Sequence, residues 1–147
     1  MPNRQQLPVY LGLVLSGSML NRRGKEKIKV FVVDDHNAFR QYLCELLRKI
    51  SDIEVVGSAE NGKIAVEFAQ ALKPDVVLMD VRMPVMNGIE ATRLITSELP
   101  NIKIIAFSSC LEKETIEQMS EAGASGYLLK GTGLTQITAS IKAAYNV

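Results

Sequence analysis

From Ile28 to the end of the chain, apolar and polar positions alternate in blocks of two kinds. Ile28–Val33 (IKVFVV) is a short, β-branched run of the sort that fills a strand buried on both faces. Phe39, Leu43, Leu46, Leu47 and Ile50 then recur at helical spacing. The same pair of signals repeats four more times. Strands are expected at residues 53–57, 75–79, 102–107 and 125–129. Helices are expected to carry Ile64, Ala65, Phe68, Ala69 and Leu72; then Ala91, Leu94 and Ile95; then Ile116, Met119 and Ala122; and last Leu134, Ile137, Ile141 and Ala144. Asn61-Gly62 opens the second helix, Pro74 stops it, Pro100 follows the third, and Gly123 is placed to end the fourth. Five βα units in sequence predict an α/β fold, (βα)5, with one parallel sheet covered by helices on both faces and right-handed crossovers.

Residues 1–27 do not share this pattern. They hold five basic residues and one acidic residue, whereas residues 28–147 hold 12 basic and 15 acidic, giving net charges of +4 and −3. We read 1–27 as an N-terminal extension, disordered or preceding the true start, with Met19 as a candidate initiator, and 28–147 as the folded domain. Residues 7–15 (LPVYLGLVL) mimic the apolar stretch of a signal peptide but fall far short of a membrane span. The acidic balance of the folded part and the absence of Trp argue against direct nucleic-acid binding. Cys44 and Cys110, without a CxxC, predict neither a disulfide framework nor a thiolate metal cluster.

The polar residues that end the strands change the picture most. Asp34 and Asp35 follow the first strand, Asp80 the third, Ser108 the fourth and Lys130 the fifth. In an open parallel sheet the carboxyl ends of the strands form the ligand-binding edge, so these five residues should meet there. Three carboxylates together are tolerable around a hard cation, and Mg²⁺ takes such oxygens together with water and phosphate oxygens. A carboxylate can also act as nucleophile toward a phosphoryl group, with the cation and Lys130 neutralising charge on the transferring oxygens.

These residues sit in motifs: VVDDH, VVLMDVRMP with Gly88 after it, IIAFSS, and GASGYLLK. Over residues 28–147 they resemble the receiver domain of two-component response regulators, most closely the receivers that precede helix-turn-helix output domains. The resemblance implies strand order 2-1-3-4-5 and Asp80 as phospho-acceptor. It implies a Mg²⁺ site formed by Asp34, Asp35, Asp80 and the backbone carbonyl of Arg82. Ser108 would be the switch hydroxyl, Tyr127 an aromatic that changes rotamer, Lys130 the phosphate contact, and Pro84 would shape the loop after the acceptor. It further implies a cytoplasmic protein without a membrane anchor. The implied phosphodonor is a sensor histidine kinase or phosphotransfer protein, and the switched output is partner binding or a homodimer. The protein would then be no enzyme beyond slow self-dephosphorylation. Ser109 stands where such receivers usually carry Ala, which implies an altered dephosphorylation rate.

Other readings compete. A phosphorylation-independent interaction domain would keep the fold and lose the chemistry. A Mg²⁺-dependent phosphatase with an aspartyl nucleophile would want a second acid two residues on, where this chain has Arg82. A flavin-binding module would need a phosphate-binding loop after the first strand, where DDHN would repel the anion. His36 reads as a flank of the first helix, Cys44 as core, Met83 and Met86 as local packing, and the glutamates of the fourth helix as a solvated face or as part of an interaction surface built with the fifth strand and fifth helix.

Overall fold

The computed structural model describes residues 26–110 and 112–147. The expectations placed on residues 1–25 lie outside them. Strands and helices alternate strictly: β1 (Ile28–Val33), α1 (Asn37–Arg48), β2 (Ile53–Ala59), α2 (Gly62–Leu72), β3 (Val76–Met79), α3 (Gly88–Glu98), β4 (Lys103–Ser108), α4 (Lys113–Ala122), β5 (Gly126–Leu129) and α5 (Leu134–Tyr145). The strands form one parallel sheet in the order β2-β1-β3-β4-β5.

Why the helices divide between the two faces follows from this order. The chain moves outward from β1 to β2, then returns past β1 to β3 and continues to β5. With crossovers of fixed hand, that reversal puts α1 on the opposite face from α2, α3 and α4. The strand period of two then sorts the core. Val30, Val32, Leu78, Ile105 and Phe107 pack with Leu43, Leu47, Ile137 and Ile141 of α1 and α5. Their sequence neighbours Phe31, Val33, Val77, Met79 and Ile104 pack with Ala65, Ala69, Ile95 and Met119 of α2, α3 and α4. Cys44 is buried in the first layer, and Met83 and Met86 pack against the second, in keeping with the sequence pattern.

The observed elements depart from the expected ones by a residue or two. β2 runs on to Ala59, because a bulge opposite Val30 and Phe31 inserts Val56 and lets pairing resume at Gly57. β3 starts at Val76, one residue past Asp75, whose carboxylate accepts the Lys29 amide at 2.8 Å. α2 and α3 begin with Asn61 and Asn87, whose side chains accept from the amides of Ile64 and Glu90. Gly123 ends α4 at φ +112°.

Candidate functional site: an acidic cluster at the carboxyl edge of the sheet

The reversal of strand order leaves a crevice between the carboxyl ends of β1 and β3. The backbone carries the sheet ladder into it. The Asp34 amide donates to the Ala59 carbonyl (3.0 Å) and the Asp80 amide to that of Val33 (2.9 Å). Across the sheet, the Lys130 amide donates to the Ser108 carbonyl at 2.9 Å. Each of these side chains therefore leaves a hydrogen-bonded strand end, which fixes its origin.

Asp34 and Asp80 are only 2% and 5% exposed, while Asp35 is open to solvent. One carboxylate oxygen from each of the three lies within 4.8 Å of the others. Lys130 closes the cluster: its Nζ is 2.7 Å from Asp34 Oδ2 and 3.3 Å from Asp80 Oδ2. The closer approach makes a tight ion pair between the Lys130 ammonium and the buried Asp34 carboxylate. The other Asp34 oxygen accepts the His36 amide at 2.8 Å, and the Asp34 carbonyl accepts Arg40 Nη1 at 2.7 Å. His36 sits at the N-cap of α1 with no hydrogen bond from its side chain to the helix.

Burial pushes the Asp80 carboxyl up to about 7, with the Asp34 charge adding to the rise and Lys130 opposing it. For Lys130, burial works to lower the pKa, but the hydrogen bond and charge of Asp34 and the charge of Asp80 outweigh it and leave the ammonium raised. Without a cation the cluster thus favours a proton on Asp80 and keeps Lys130 charged. Three hard carboxylate oxygens within 4.8 Å of one another make a donor set suited to Mg²⁺.

The other expected residues surround this centre. Ser108 is buried at the end of β4, its Oγ accepting the Cys110 amide at 3.3 Å. Arg82, two residues past Asp80, turns its guanidinium outward to Glu112 at 3.6 Å. The half-buried Tyr127 lies outside the carboxylate cluster, its hydroxyl donating to the Ile116 carbonyl of α4. Burial raises its pKa, against the neighbouring Ser120 backbone.

The loop between Asp80 and α3 is held more tightly than its sequence shows. Gly88 donates to the Val81 carbonyl at 2.8 Å, and a Cβ on Gly88 would stand 2.0 Å from the Asp80 carbonyl oxygen. Gly62, at the start of α2, donates to the Met86 carbonyl at 3.0 Å, and a Cβ there would come within 2.5 Å of it. Between these anchors the Met86 amide reaches back to the Pro84 carbonyl (2.8 Å), closing a γ-turn around Val85 at φ +69°. That left-handed turn is strained for a β-branched residue, and the Val85 side chain is 77% exposed. The sequence gives no sign of it. It also gives no sign that Phe39, one of the apolar positions of α1, places its ring centroid 5.3 Å from Lys130 Nζ.

Comparison with known proteins agrees with this architecture. Residues 30–142 match the family model described as the response regulator receiver domain. The chain is 44% identical over 115 residues to the response regulator GacA of Pseudomonas syringae pv. syringae (strain B728a), covering 78% of this chain and 54% of that one. It is 42% identical over 114 residues to the transcriptional regulatory protein LnrK of Bacillus subtilis (strain 168), covering 78% and 52%. It thus spans about half the length of these curated relatives. The crystal structure of the response regulator domain of Thermotoga maritima CheB superposes with a TM-score of 0.76 at 35% identity, covering 83% of this chain and 98% of that one. A 2-1-3-4-5 sheet, an acidic crevice where its order reverses, and a family match across nearly all the described residues make this chain a member of the response regulator receiver family.

Proposed function

We propose that Asp80 accepts a phosphoryl group from a sensor histidine kinase or phosphotransfer protein, and that the event switches partner binding or dimerisation of a cytoplasmic regulator. The observation that carries this reading is the placement of the buried Asp80 carboxylate beside Asp34 and Asp35, with the Lys130 ammonium 3.3 Å away. An Asp80 oxygen attacks phosphorus, the P–O bond forms as the donor's P–N bond breaks, and the departing imidazole takes a proton from water. Asp80 must be unprotonated to attack, and its raised pKa makes that the costly condition in the cation-free protein.

Asp34, Asp35 and Asp80, with the Arg82 carbonyl, would hold Mg²⁺, which when bound neutralises charge on the phosphoryl oxygens and favours the ionised nucleophile. Lys130 pairs with the phosphoryl group from the other side, exchanging one of its present carboxylate contacts for it. Ser108 turns its hydroxyl toward a new phosphoryl oxygen. Tyr127 follows by leaving the Ile116 carbonyl, which transmits the change to α4. Hydrolysis of the acyl phosphate by water resets the domain.

Incubation with phosphoramidate and Mg²⁺, followed by intact-mass measurement, tests the reading. One added phosphoryl group is expected, absent in Asp80→Asn and absent with a chelator. An unmodified wild-type mass under conditions that label a known receiver overturns it.

A further inference from the structure

The charge of Lys130 is fixed by chemistry, but its position has to be enforced. A lysine side chain is a four-carbon stem with a strongly hydrated head, and it gives up much rotamer freedom when held in one place. Here the side chain is 21% exposed, so water can reach it. Besides its two carboxylate contacts, it lies 5.3 Å from the centroid of the Phe39 ring, within cation–π range. That ring is itself fixed. It packs against Phe107, a buried residue of β4, with centroids 5.7 Å apart and planes tilted by 30°.

The same turn of α1 also holds Asp34. Arg40, next to Phe39, donates Nη1 to the Asp34 carbonyl and Nη2 to Asn37 Oδ1, each at 2.7 Å, and the His36 amide binds Asp34 Oδ1. The first turn of α1 therefore sets the carboxylate and its counter-ion from one rigid piece, which the Phe39–Phe107 contact joins to the strand that ends in Ser108.

We propose that Phe39 is a positioning residue for Lys130. Its ring keeps the ammonium in contact with Asp34 and Asp80, where it can follow a phosphoryl group arriving on Asp80. This rests on Asp80 being the acceptor. An aliphatic side chain at position 39 retains apolar volume but loses the ring quadrupole, freeing Lys130 to sample hydrated rotamers. The carboxylates keep their own anchors in such a variant, so phosphoryl transfer suffers and cation binding does not.

The test compares wild type with Phe39→Leu and Phe39→Tyr, using phosphoramidate as donor. Three readouts are needed: the rate of mass gain, Mg²⁺ affinity by calorimetry, and the NMR shift of the Lys130 ε-methylene. In wild type the ring displaces that signal from the range of the other lysines. In Phe39→Leu the displacement disappears, transfer slows by roughly three- to ten-fold, and Mg²⁺ affinity stays within about two-fold. Phe39→Tyr restores both displacement and rate. A wild-type transfer rate in a folded Phe39→Leu overturns the proposal, as does a Lys130 signal undisplaced in wild type. Parallel losses of rate and Mg²⁺ affinity also overturn it, since they mark a general distortion of the site. Wild-type protein that takes up no phosphoryl group overturns the acceptor reading first, and the positioning role with it.

Discussion

Asp75 and Asp80 stand at the two ends of β3, separated by four buried apolar residues. At the amino end, Asp75 is locked into the backbone. Its carboxylate accepts the Lys29 amide, its own amide donates to the Lys29 carbonyl at 2.9 Å, and its carbonyl accepts the Lys103 amide at 3.0 Å. At the carboxyl end, Asp80 uses its backbone for the ladder and leaves its carboxylate among two others and a lysine. Burial raises both pKa values; at Asp75 the Lys29 amide and charge oppose the rise and the Glu26 charge adds to it, while at Asp80 the Asp34 charge adds to it and Lys130 opposes it. One residue type at two ends of one strand thus closes the sheet in one place and leaves a buried carboxylate in an acidic cluster in the other. What separates them is what converges on each carboxylate.

The sharpest way to break this comparison is to remove each carboxylate in turn. Asp80→Asn should abolish phosphoryl uptake, while Asp75→Asn should label at no less than about half the wild-type rate, because the Asn oxygen can still accept the Lys29 amide. Equal losses in intact-mass assays would erase the distinction between the two ends.

The glycines give the next largest contrast. Gly88→Ala forces a Cβ against the Asp80 carbonyl and should cost about 2–4 kcal/mol in urea unfolding. Gly126, at the amino end of β5, has open space where a Cβ would go, so Gly126→Ala should stay within about 0.5 kcal/mol.

A third test uses pH. The folded pKa of Asp80 lies near 7, above its unfolded value, so native protein binds the proton more readily. Its contribution is fully present below about pH 4 and is lost as pH rises through 7. With a chelator present, wild type should lose roughly 1–3 kcal/mol more stability than Asp80→Asn between pH 5 and pH 8. Parallel pH profiles would show that Asp80 is not strained in this way.

The smallest effect is expected far from the crevice. Lys142 on α5 pairs with Asp52 before β2 at 2.9 Å, partly in solvent. Lys142→Gln should cost no more than about 1 kcal/mol and leave phosphoryl uptake unchanged.

The fold was legible because β1, β3 and β4 are almost wholly buried runs and each helix carries an apolar stripe, and the strand ends fall in register with DD, D, S and K. The convergence of Asp34, Asp80 and Lys130 follows from parallel topology alone. Other features were hidden because they depend on three-dimensional neighbours. The turn of the Asp75 carboxylate back onto the Lys29 amide is one of them. Phe39 reads as one more core position of α1, and only the fold brings Lys130 over its ring. Sequence could not reveal Arg40 reaching the Asp34 carbonyl, since a charged residue in a helix reads as solvated. Val85 is a case of tertiary context overriding preference: a β-branched residue signals extended chain, yet two backbone anchors force it into a left-handed turn.

That turn has a consequence for how the molecule can vary. Its shape is imposed by Gly62, Pro84 and Gly88, so the side chain at 85 is free to change without reshaping the crevice. Residues at ease in left-handed backbone, such as asparagine or glycine, would relieve the turn, while the valine keeps an apolar knob in solvent. Position 85 is thus a place where an exposed side chain can be rewritten one residue at a time while the backbone that carries it stays as it is.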